Sequence, residues 1–223
     1  MTQVPAVATR SSPISPYNVR VKTKAGDNWL VPGRKGSGKT TFTKELVINL
    51  SRIYPTSRIY VLDIKFRDFN DWPGIVQSER APGRPDRNDR VQVWQPLRED
   101  PEEIEKWLYG VLHDSPAILD IDELLALCYG RKDTSDMFKR IQKLGRALPV
   151  GTVVSTQELV EIPRNAIGQH DHLVRFRLKH PYERTLMKQM MGPHDEPADR
   201  HGFLYQNADE DTFKYFRDLS TFF

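Results

Sequence analysis

Cysteine is nearly absent: Cys128 stands alone among 223 residues. No intrachain disulfide and no cysteine-based zinc site can form, and that usage fits a reducing compartment. No apolar run approaches the roughly 18–20 residues that cross a bilayer, and the N-terminus lacks the charged-then-apolar pattern of a secretory signal. A soluble intracellular protein with no membrane span is expected. A guanine-reading Asn-Lys-x-Asp sequence is also missing, which argues against a GTPase switch. Charge of one sign is scarce: 33 basic against 30 acidic residues leave a net +3, which permits contact with nucleic acid without arguing for it. No internal repeat occurs.

What is present is a globular composition, 38% hydrophobic and 28% charged, of a length suited to one domain. Residues 1–24 are rich in proline, serine and basic residues without periodicity and read as a flexible arm; residues 25–223 read as a single domain. From Asn28 strands and helices alternate. Strands are expected at NWLVP, RIYVLDIK, VQVWQP, PAILDIDE, GTVVSTQ and HLVRFRL. Between them fall a helix with Phe42, Leu46, Leu50 and Ile53 on its apolar face, another with Ile104, Trp107, Leu108 and Val111, and a third over 134–148. A short helical stretch over 163–167 and a helix bearing Tyr182, Leu186, Met187 and Met190 follow. Residues 66–90 read as a long polar connection, and GFLYQ and TFKYF as a C-terminal hairpin. The alternation predicts an α/β fold with a mostly parallel sheet covered on both faces.

Residues 33–40, GRKGSGKT, satisfy the G-x-x-x-x-G-K-[ST] pattern. Gly33, Gly36 and Gly38 let the backbone of Arg34, Lys35 and Ser37 turn its N–H groups toward a phosphate, and the helix that follows adds its positive end. Lys39 is placed to reach the β- and γ-phosphates, Thr40 to hold Mg²⁺ through its hydroxyl, and Thr41 completes the nucleotide-binding set. An apolar strand ending in Asp122, with Glu123 next, supplies the partner. Asp122 would hold the magnesium from the far side and Glu123 would orient and deprotonate an attacking water. Asp120, on the same strand face, competes for the magnesium role. The alternative for Asp122 and Glu123 is an acidic pair capping the next helix. Gln157, or else Thr156, ends the fifth strand where a side chain could sense the γ-phosphate; the alternative is a cap.

Together GRKGSGKT, YVLDIKFRDF, ILDIDE and LGRALPVGTVVSTQ resemble the FtsK-HerA superfamily of P-loop DNA-pumping ATPases, and within it the small genome-packaging ATPases of tailless double-stranded DNA viruses. The resemblance spans roughly residues 27–218, and the Arg-Ala to Thr-Gln block is its most specific part. It implies a P-loop NTPase fold of the RecA/ASCE type, ATP and Mg²⁺ as ligands, and hydrolysis coupled to translocation of double-stranded DNA. It further implies a homo-oligomeric ring in which Arg146 of one subunit reaches the γ-phosphate held by the next, with Arg164 as second candidate. A capsid vertex or portal protein would anchor the ring, in the host cytoplasm. Arg146 also reads as a surface arginine at a helix C-terminus. The membrane spans and the separate DNA-reading domain of chromosome-segregation members are missing, so a plasmid or secretion motor would look similar. A nucleotide kinase or a nucleotide-gated assembly protein are the other readings.

Arg131 and Lys132 are the candidates for DNA-phosphate contact. Arg80, Arg84, Arg87 and Arg90 share their loop with Glu79, Asp86 and Asp89 and read as a solvated segment. His170 and His172 share a strand face but lack further ligands for a metal. The tryptophans read as core or loop anchors.

Overall fold

Apolar runs too continuous for a half-exposed sheet imply strands covered on both faces, and that is how they fold. The computed structural model describes residues 21–66, 68–129, 133–210 and 213–223. In chain order it contains β1 (Asn28–Pro32), α1 (Lys39–Ile53), β2 (Arg58–Leu62), β3 (Ile75–Ser78), β4 (Val91–Pro96), α2 (Pro101–Leu112), β5 (Ala117–Ile121) and α3 (Asp136–Leu144). There follow β6 (Val150–Thr156), α4 (Arg164–Ile167), β7 (His172–Phe176), α5 (Pro181–Met191), β8 (Phe203–Asn207) and β9 (Lys214–Phe216). One nine-stranded sheet runs in the order β3-β4-β2-β5-β6-β1-β7-β8-β9. It is parallel from β3 through β7, and β8 and β9 add an antiparallel hairpin at one edge.

Side-chain alternation divides the core in two. On one face Trp29, Val31, Ile59, Val61, Ile118 and Val153 pack against Phe42, Leu46, Val47 and Leu50 of α1. On the other, Leu30, Tyr60, Leu62, Leu119 and Ile121 meet α2, α3 and α5. Trp29, Trp94 and Trp107 are buried in these layers and Trp72 nearly so. Local chemistry starts the helices where expected. Asp100 accepts the Glu102 amide ahead of Pro101, and Ser135 accepts the Phe138 amide at 3.0 Å.

Several expectations are corrected. β3 lies inside the segment read as a polar connection; it is an edge strand of four residues, exposed or half-buried, whose two apolar residues Ile75 and Val76 are too short a run to stand out, and it pairs with β4 through backbone and the Gln77–Gln95 side-chain bond. Ile53 is 45% exposed and Tyr182 65%, since each lies at a helix end beyond the packed stripe. The helix over 134–148 is shorter because the chain turns at Gly145, and Leu148 precedes Pro149, which disfavours helical backbone. The arginine loop is anchored rather than merely solvated. Arg84 and Arg58 both pair with the buried carboxylate of Asp114, which also takes the Tyr60 hydroxyl, and Arg90 donates to Ser51, Tyr54 and Ser57 carbonyls. Of the arm, residues 1–20 lie outside the described residues; Val21 packs on the α1 side and Thr23 O accepts the Tyr54 hydroxyl at 2.8 Å.

Candidate active site

The glycine loop is slung between two strand ends. Gly33 N donates to Thr156 O at 3.1 Å and Arg34 N to Arg177 O at 2.8 Å, so the exits of β6 and β7 fix where the loop leaves β1. A Cβ at Gly33 would lie 2.6 Å from Phe176 Cβ, so no larger residue fits there. Gly36 (φ +73°) and Gly38 (φ +104°) make the left-handed turns that curl the loop into the helix. Lys39 opens α1 and is only 5% exposed; its Nζ donates to Arg34 O at 3.1 Å. Burial pushes its ammonium down to about 8, against the attraction of Glu123. Ser37 Oγ is buried with no partner among the described residues. Thr40 is half-buried, and Lys35, Gly36 and Thr41 are exposed.

β5 lies two strands from β1, across β6, and carries the carboxylates to the same sheet edge. Asp122 is fully buried; Ser155 Oγ donates to its carbonyl, and Asp122 Oδ1 has no hydrogen-bond partner among the described residues. Glu123 Oε1 accepts the Gln157 backbone amide at 3.2 Å, so the end of β6 fixes the acid through its main chain. Asp120 sits deeper on the same face, fully buried, with both oxygens unpartnered; burial first, then Asp122, pushes its carboxyl well above the usual range. Asp120 lies within β5 and Asp122 just past its end, at the edge where the glycine loop emerges, so Asp122 is the better placed for magnesium.

One residue absent from the expected set stands at the centre. Lys65 Nζ lies 2.8 Å from Asp122 Oδ2, 3.2 Å from Asp122 O and 3.7 Å from Glu123 Oε2. Burial raises the Asp122 carboxyl, and this ammonium opposes that rise. The strand β2 ends at Leu62, and Asp63 then fixes the turn: it accepts the Lys65 amide at 3.1 Å and Gln95 Nε2 at 2.8 Å. The readable signal was Asp63-x-Lys65 just past an apolar strand that pairs with β5.

Arg146 is not brought to this edge. It precedes β6, whose seven residues extend about 20 Å at roughly 3.3 Å each, so its guanidinium cannot reach the glycine loop of its own chain. Its side chain is 66% exposed and pairs with Asp171, which also accepts the Asn28 amide at 2.8 Å. Below it the backbone is tight: a Cβ on Gly26 would lie 2.3 Å from Gly145 O. A cleft of about 340 Å³ lined by Asn28, Gln142, Lys143, Arg146 and His170 opens here. Arg164 is exposed on α4. His172 is held between Tyr205 Oη and Asp27 Oδ2, each at 3.0 Å, and His170 bonds Ile167 O, so the imidazoles have structural partners. Arg131 and Lys132 lie outside the described residues.

The oxygens of Thr40 and Asp122 are the hard donors that magnesium takes, and the unpartnered Asp122 Oδ1 is consistent with such an ion.

No protein-family model matches the chain. No curated protein matches it in sequence. Its fold does have solved counterparts. B204, the DNA-packaging ATPase from Sulfolobus turreted icosahedral virus, superposes with a TM-score of 0.71 at 15% identity over 88% of this chain and 100% of that one. The genome-packaging NTPase B204 from Sulfolobus turreted icosahedral virus 2, in complex with ATP-gammaS, gives 0.69 at 14% identity over 88% and 99%. The pCW3 conjugation coupling protein TcpA, also with ATPgS, gives 0.57 at 14% identity over 88% of this chain and 62% of that one. The chain therefore has the P-loop ATPase fold, and its structural neighbours are of the group that the sequence motifs resemble.

Proposed function

We propose that this protein is an ATP hydrolase that drives double-stranded DNA, of the genome-packaging type within the FtsK-HerA superfamily. One observation carries the hydrolase reading: buried Lys39, at the start of α1 just after the glycine loop, shares a sheet edge with Glu123, and β6 lies between the strands β1 and β5 that lead to them. The loop amides and Lys39 hold the phosphates of ATP. Glu123, fixed by the Gln157 amide, takes the proton of a water whose oxygen bonds to the γ-phosphorus as the bond to the β-phosphate oxygen breaks, leaving ADP and phosphate. Magnesium would be held by Thr40 and Asp122 and would neutralise charge on the phosphates. Lys65 holds Asp122 Oδ2 and leaves Oδ1 for such an ion. A kinase has less use for a water-directed glutamate, which supports hydrolysis over transfer.

Translocation rests on the likeness of fold and motif to packaging ATPases. Arg146 supports an oligomer: it is too far from its own loop to act there, so a role at the γ-phosphate needs a neighbouring copy. A homo-oligomeric ring on DNA, anchored at a capsid vertex or portal in the host cytoplasm, is the assembly this reading requires. No helix among the described residues is long and apolar enough to cross a membrane. ATP turnover measured with and without double-stranded DNA at low salt, alongside sizing of the protein with both ligands, tests it. DNA-stimulated turnover by a larger species is expected; turnover indifferent to DNA would sink the motor reading and leave a simple ATPase.

A further inference from the structure

We infer that His201 forms the base-side wall of the nucleotide site, packing its imidazole against the purine of a bound nucleoside triphosphate. This rests on the nucleotide-binding reading of the glycine loop. The phosphate tail has a direction set by the sheet. Its reacting end must face Glu123, on the β5 and β6 side of β1, so the nucleoside leaves the loop on the opposite side, toward β7 and β8. His201 stands there. Its Nδ1 lies 3.4 Å from Ser37 O and 3.4 Å from the point where a Cβ on Gly38 would be.

An exposed imidazole usually hangs on a loose turn, but this one is held from several directions. Arg177, whose carbonyl anchors the glycine loop, donates to Pro197 O at 2.9 Å and to Ala198 O at 2.7 Å. Tyr215 Oη donates to Asp199 Oδ2 at 2.6 Å, and Gly202 N donates to Asp199 O at 3.2 Å. A Cβ at residue 202 would lie 2.6 Å from Tyr215 Oη, so glycine there lets the tyrosine ring lie close over the turn. Pro197, Ala198 and Asp199 are thus tied to Arg177, just past β7, and to Tyr215 of β9, and the turn that continues from them sets an imidazole against the loop. An aromatic face beside a phosphate cradle recognises a heterocyclic base by stacking, a contact open to any purine.

The test compares ADP, which has a base, with inorganic tripolyphosphate, which has none, by calorimetry in the presence of Mg²⁺. His201→Ala is expected to weaken ADP about tenfold and to leave tripolyphosphate within about twofold, consistent with the worth of one stacked base. His201→Phe, which keeps the ring without the nitrogens, is expected to retain ADP affinity within about threefold. The inference is overturned if His201→Ala binds ADP as the parent does, or if both ligands weaken equally, which would make His201 a support of the loop alone. If the parent protein binds tripolyphosphate but no tighter to ADP, the base site fails while the phosphate cradle stands. If it binds neither, the nucleotide reading itself falls.

Discussion

Burial of Lys39 carries an electrostatic cost that a bound anion, or loss of its proton, removes. Its ammonium is pushed down to about 8 by burial, so the unfolded chain holds a proton that the native protein gives up between that pH and the ordinary lysine value. Stability from this residue therefore rises as pH rises through that window, and the full cost is felt below it. Lys39→Met should abolish phosphate binding yet stabilise the nucleotide-free protein by about 2–3 kcal/mol at pH 7. Urea unfolding should show that gain shrinking toward pH 10, and a variant less stable than the parent at pH 7 would contradict the burial argument. Glu123 sits on the other side of the reaction. Glu123→Gln keeps the Gln157 amide contact but cannot take a proton, so turnover should fall by about 10² or more while ADP affinity is retained. Single-turnover assays read this directly. At this scale the sequence was partly legible. The lysine, threonine and paired acids follow from spacing; Lys65 was legible only as part of the YVLDIKFRDF match, and its contact with Asp122 comes from β2 lying beside β5, a neighbour relation that strand order determines.

The helix that opens at Lys39 is seated by one aromatic cluster. Phe42, fully buried, has Phe203, Phe222 and Phe223 rings within 5.2 to 5.4 Å and Phe176 at 5.9 Å. β7, β8 and the last residues of the chain thus grip the first turn of α1, the turn that presents Thr40 and Thr41. Phe42→Ala should cost about 3–5 kcal/mol, and the slack should weaken nucleotide affinity at temperatures where the protein is still folded. A denaturation midpoint shift without any change in affinity would show that the helix start is held by the loop instead. Element types and order were legible because buried parallel strands and amphipathic helices leave strong patterns. β3 was not, since edge strands pair through backbone, and neither were the ends of α1, α3 and α5, where packing stops before the apolar pattern does.

For the whole molecule, the sheet separates what the motifs bring together. The glycine loop, Asp122, Glu123 and His201 lie at the carboxyl edge, and Arg146 lies at the other. A chain with Arg146→Ala should lose most of its DNA-stimulated turnover, and mixing it with Lys39→Ala chains, themselves inactive, should restore part of it. An Arg146→Ala chain that remains fully active alone would exclude a role between subunits. Leaving home should be easy for Arg146: its own side chain is 66% exposed, so the ion pair is worth on the order of 1 kcal/mol, and Asp171 keeps the Asn28 amide when the guanidinium departs. The close contact of Gly26 with Gly145 gives this edge a mechanical character as well. The strand that leads into the glycine loop enters the domain against the backbone that bears Arg146, with no side chain between them as a cushion. A side chain at Gly26 would press on Gly145 O and Arg146 Cα, so Gly26→Ala should shift the seat of Arg146 together with the entry to β1.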